Sequence, residues 1–260
     1  MLRYDHILVA LAVLGFGLVL TASAQSVDQR LFRILSTSND VENSCNFRVR
    51  SNLVSTMDRI GFRVRLPNWT LGVSTIPGTG VTNAAVDQTL TLAADLLKQD
   101  QGGADVNCCV DINRNGNVAT FTPPATMVNG VITNAAEMNA VFAVNADIKI
   151  VSQILWCFAP GAPAFAGCAD GNSIITVNTF NPPTTNVFTN PATVAHEVGH
   201  WSGLGHVAQV CVPTPGQCGT CTDCTDPLAN NVMYCRICAG PPNQGIISSA
   251  ECGNYQTSAQ

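Results

Sequence analysis

The sequence predicts an α/β (α+β) fold, and three observations carry that prediction. Apolar residues recur at helical spacing in two stretches, Asn83 to Gln99 and Ala135 to Val144. After them lie runs rich in β-branched residues, Ile148 to Leu155 and Ser173 to Thr179, which read as strands. A last helix opens at Asn190-Pro191, where Asn can cap free amides and Pro fits the first helical position. The order is therefore helix, strands, helix, strands, helix.

The chain has 260 residues. Arg3 gives it a positive start, Ile7 to Leu20 form an uncharged apolar run, and Ala22-Ser23-Ala24 supplies a signal-peptidase pattern. An apolar core of about 14 residues is short of the roughly 20 a spanning helix needs. Residues 1–24 are thus expected to be a cleaved signal peptide, leaving a secreted protein, extracellular or periplasmic, that is not membrane-bound. All twelve cysteines follow this segment, and an even count in an exported chain reads first as a disulfide framework.

Only 11% of residues are charged, and the net charge of −5 includes no basic stripe of the kind a phosphate backbone requires, which argues against nucleic acid as a partner. The charges divide unevenly. Residues 25–80 carry seven arginines against four acids, a net of +3, whereas residues 81–260 carry four basic residues against twelve acids, a net of −8. The Gly/Pro-rich connection 76–80 separates the two. Residues 25–80 are either a basic propeptide packed on an acidic domain, 81–260, or a source of ordinary strands for that domain.

After the first helix, Asp105 to Ile112 and Asn117 to Phe121 are expected to pair as a hairpin about Asn115-Gly116, a favoured turn. Asp111-x-Asn113-x-Asn115-Gly116 also resembles the first half of a calcium (Ca²⁺) loop, although Thr122 stands where the closing glutamate belongs. The hairpin is the stronger reading.

The chemistry concentrates after Asn190. His196 and His200 are four residues apart, so a helix puts both imidazoles on one face with Cβ atoms about 5–6 Å apart, within reach of one Zn²⁺. Glu197 is placed to hold a water without being a ligand. His206 could join them only if the helix stopped, since six more helical residues would carry it about 9 Å away. Gly203 stands where that stop must come, and glycine takes the left-handed conformation of a helix end at no steric cost. Apart from His6, in the expected signal, every histidine lies in this window.

His196-Glu-Val-Gly-His200-Trp-Ser-Gly203-Leu-Gly-His206 resembles the signature of metzincin zinc metallopeptidases, and His-Trp-x-Gly-Leu looks nearest to pappalysin-like and bacterial extracellular members. The resemblance implies a zincin-type catalytic domain, with a twisted mixed sheet, backing helices, a zinc-binding active-site helix and a disulfide-rich C-terminal part. It implies one catalytic Zn²⁺ held by His196, His200 and His206, with Glu197 as general base. It also implies a Met-turn at Asn231-Val232-Met233-Tyr234, where Met233 floors the site without binding metal. The expected substrate is a protein or peptide. The alternative is a secreted or surface binding module with a structural zinc site.

The cysteines add two expectations. Cys157 with Cys168, and the seven from Cys211 to Cys252, are expected to knit the C-terminal part by disulfides, with connectivity unreadable. Cys45 is the only cysteine of residues 25–80. Either it bridges to the main domain or it is free, and a free Cys45 is a candidate zymogen thiol that would occupy the open position of the metal.

Overall fold

A computed structural model describes residues 67–99, 105–182, 184–207, 228–234 and 245–259. These fall within one compact unit that includes Leu66–Gln260. The signal segment, Cys45 and the cysteines from Cys211 to Cys238 lie outside the described residues. No helix among those described is long and apolar enough to cross a membrane.

The elements run β1 (Asn68–Thr75), α1 (Asn83–Lys98), β2 (Asp111–Thr120), a 3-10 turn (Val128–Gly130), β3 (Val131–Ile132), α2 (Ala135–Phe142), β4 (Ile148–Val151), β5 (Gln153–Cys157), β6 (Ala159–Phe165), β7 (Gly167–Ala169), β8 (Ile174–Val177), α3 (Pro191–Trp201) and α4 (Ser249–Ser258). The main sheet has the order β2-β1-β4-β8-β7. Its first four strands are parallel and β7 runs antiparallel against β8, so the sheet is mixed, as expected. A smaller sheet, β3-β5-β6, lies beside it in the chain.

Side-chain alternation splits the sheet into two cores. Trp69, Leu71 and Val73 of β1, Ile148 and Ile150 of β4, and Ile174 of β8 pack with Val86, Leu90, Ala93 and Leu97 of α1 and with Val194, Ala195 and Val198 of α3. The opposite face sends Val151 and Ile175 into a second cluster with Ile132, Met138 and Val141. Burial of each such aliphatic side chain stabilises by roughly 1.5–3 kcal/mol. Period-two alternation thus places α1 and α3 on a common face of the sheet.

Of the two readings of residues 25–80, the strand reading applies to 68–75, because β1 pairs with β2 on one side and β4 on the other. Residues 68–75 supply a strand to the domain, and a removable leader would have to end before Asn68.

The hairpin about Asn115-Gly116 does not form. Residues 111–120 make a single strand parallel to β1, and the left-handed Gly116, at φ +67°, sits in an irregularity of that strand. The register passes from Gly72↔Asn115 to Ser74↔Ala119, so β2 absorbs two extra residues without turning back. Arg114 pins the irregularity, donating to the Gly116 carbonyl and to Asp87 of α1. The same extended geometry removes the calcium-loop reading. Asp111 pairs with Lys98 at 2.6 Å, and the Asn113 amide donates to Asn68 at 2.7 Å.

The Cys157–Cys168 disulfide is present, and a second, Cys108–Cys252, joins the segment after α1 to α4 across 144 residues. Helix α4 opens on Ser248 and Glu251, which form a reciprocal capping box.

Candidate metal centre

Helix α3 begins and ends as its sequence dictates. The Asn190 side chain accepts from Ala192 N, and Pro191 occupies the first turn. At the other end Gly203 adopts φ +85°. Its N–H donates to His200 O at 2.9 Å, and Leu204 N–H donates to Gly199 O at 3.0 Å, the paired bonds of a Schellman stop. The chain reverses there and brings His206 back over the helix. Val207 N then donates to Met233 O at 3.0 Å, which ties the returning segment to the turn that contains Met233.

The three histidines meet as a result. His196 Nε2 is 3.1 Å from His206 Nε2, and His200 Nε2 is 3.0 Å from the same atom. The far side of two rings is fixed. His196 Nδ1 donates to Val232 O and His200 Nδ1 donates to Leu204 O, both at 2.8 Å. A carbonyl can only accept, so in the neutral rings the proton sits on Nδ1 and each Nε2 presents a bare lone pair. His206 Nε2 can carry at most one proton, which satisfies one of its two neighbours. Three converging nitrogens with too few protons between them fit a shared cation, and imidazole nitrogens suit zinc. The three residues could hold a metal ion.

Electrostatics favour the neutral rings. Burial, followed by the neighbouring His200 and His206, pushes His196 down to about 3. Burial and His200 push His206 down to about 4, and burial lowers His200 as well. Glu197, only 5% exposed, has its carboxyl pushed up to about 8 by burial. Its side chain lies against β7, where Gly167 is its neighbour.

Beneath the helix lies Met233, fully buried. Its backbone N–H is held by Asn231 Oδ1 at 2.7 Å, and the Asn231 amide donates to Glu251 of α4 at 3.2 Å. Tyr255 of α4 donates its hydroxyl to Ala195 O at 2.7 Å and lies 3.6 Å from the Met233 sulfur. Gly199 is the point of closest approach, since a Cβ there would overlap both Met233 Sδ and Tyr255 Oη. Tyr234, next to Met233, is buried at 1% exposure.

The sequence reading named His196, Glu197, His200, Gly203, His206 and Met233, and these residues stand together. It missed Gly167, Gly199 as a packing requirement, and Tyr255. The x positions of a motif and a lone downstream tyrosine carry no local signal of such contacts. Cys45 lies outside the described residues.

No family model matches the chain, and no curated protein matches it. Among solved structures the chain is similar to mature mirolysin of Tannerella forsythia in complex with a cleaved peptide, at 12% identity and a TM-score of 0.48, over 74% of this chain and 91% of that one. It is similar also to a mutant of Tannerella forsythia promirolysin, at 12% identity and a TM-score of 0.48, over 84% of this chain and 92% of that one.

Proposed function

We propose that the protein is a secreted, metzincin-type zinc endopeptidase. The observation that carries this reading is the convergence of three histidine Nε2 atoms, spaced 3.0–3.1 Å at His206, beside a buried glutamate on the same helix. The rings of His196, His200 and His206 would hold the ion, two of them oriented by carbonyls of the Met233 turn and of the helix stop. Zn²⁺ in this site supplies a Lewis acid that polarises a peptide carbonyl and makes water acidic near neutral pH.

Glu197 is the general base: it takes a proton from the attacking water and passes it to the leaving amine. Burial raises its pKa above the ordinary carboxylate value, which makes it a stronger proton acceptor than an exposed carboxylate. Three neutral ligands leave the site positively charged, which suits a developing oxyanion. A purely structural site has no use for a buried carboxyl at this position. Secretion rests on the signal-like start of the sequence and is compatible with the Cys108–Cys252 and Cys157–Cys168 disulfides.

The test is hydrolysis of a quenched-fluorescent peptide library by the secreted protein, with and without a zinc chelator, beside Glu197→Gln. Cleavage should disappear in both controls, while Glu197→Gln keeps one zinc per chain. Full zinc occupancy without any cleavage would instead favour a latent zymogen or a binding module, and turnover by Glu197→Gln would remove the glutamate from its role.

A further inference from the structure

We propose that Gly167 is a positioning residue for Glu197: the missing side chain at 167 is the seat of the Glu197 carboxylate. This rests on the reading of Glu197 as the base. A Cβ built on Gly167 would overlap Glu197 Oε1 and would stand 2.7 Å from its Cγ and 2.8 Å from its Cδ. Three atoms of one side chain converge on that point, so turning the carboxylate alone does not relieve the overlap.

The need is for space and not for backbone freedom. Gly167 is absent from the left-handed glycines among the described residues, and it pairs with Thr176 in a regular antiparallel ladder. Alanine can adopt that backbone without strain. Nor can β7 readily retreat. Cys168 is bonded to Cys157, Cys168 and Ala169 pair with Ile175 and Ile174, and Val177 N donates to Ala166 O at 3.1 Å. Alternation turns Gly167 and Ala169 toward the α3 side of the sheet, where Ala169 packs on the main core, while Cys168 joins the other cluster. With the strand held and the helix fixed by its stop, Glu197 is the group that must move when a methyl is added.

The experiment compares Gly167→Ala with the parent in the Glu197 chain and in Glu197→Ala, all zinc-loaded. A displaced base costs turnover, and misplacement near 1 Å can cost up to about 100-fold. Gly167→Ala is expected to lower kcat by at least about tenfold with KM within about twofold, and zinc content should stay at one per chain. It should also lower Tm in the Glu197 chain but not in Glu197→Ala, where the overlapping atoms are gone. Unchanged kcat, or an equal Tm loss in both backgrounds, overturns the proposal. A parent that cleaves no peptide removes the peptidase reading, and the Tm comparison then still decides whether Gly167 seats Glu197.

Discussion

The hydroxyl of Tyr255 donates to the carbonyl of Ala195, the residue before His196, at 2.7 Å. This bond spans 60 positions of sequence and ties α4 to the middle of α3. Burial, with the charges of Glu251 and Glu197, raises the phenol well above its ordinary value, so it stays protonated and keeps donating. Tyr255→Phe retains the ring and loses only the donor. It should cost about 1 kcal/mol, read as a lower urea midpoint with an unchanged slope, and leave zinc stoichiometry intact. An unchanged midpoint would mean that the bond contributes nothing net.

Met233 and Gly199 are expected to be coupled. Met233→Ala empties a fully buried site beneath α3 and should cost about 2–5 kcal/mol, whereas the volume-conserving Met233→Leu should cost less than about 1.5 kcal/mol. Gly199→Ala drives a methyl into Met233 Sδ and Tyr255 Oη, an overpacking worth about 1–3 kcal/mol. In Met233→Ala part of that cost should vanish, because one of the two obstructing atoms has gone. Strict additivity in the double variant would show that the contact is not the source of the cost.

The sequence made legible whatever is decided locally. Asn190, Pro191 and Gly203 bound α3 because capping and helix stopping involve only neighbours in the chain. The histidine cluster follows from that stop and the spacing of three residues. Asn115-Gly116 misled for an instructive reason: the left-handed glycine it offers serves a bulge as well as a turn, and pairing with β1, distant in sequence, selects the bulge. Gly167, Tyr255 and the Cys108–Cys252 bridge are set by contacts between segments far apart, and nothing in their surroundings marks them.

That bridge ties α4 to the segment after α1. Cys108 is fully buried, and its N–H donates to Leu97 O at 2.9 Å. Replacing both Cys108 and Cys252 by Ala should cost about 2–5 kcal/mol, mainly by releasing the unfolded chain. Because Tyr255 follows Cys252 by one turn of α4, hydrogen exchange should accelerate at both α4 and Tyr255's partner helix α3. Protection equal to the parent in both helices would show that α4 is held without the bridge.

Lys149 stands on β4 between Ser74 and Ile175 and is 1% exposed. Asp147 and Asp170 face it, but burial outweighs their attraction and its pKa lies below the ordinary 10.5. Below the folded pKa both states carry the proton, and the folded state bears the full cost of a buried charge. Between that pKa and 10.5 the unfolded chain binds more protons than the folded one, so this group's contribution to stability rises with pH. Lys149→Met keeps the stem's packing and removes the charge. It should be more stable than the parent at neutral pH, and its advantage should shrink as pH climbs toward 10.5. Urea midpoints of the two proteins across that range supply the test. A difference independent of pH would mean that the ammonium is not penalised in the fold, and a variant less stable at neutral pH would mean that Asp147 and Asp170 need it.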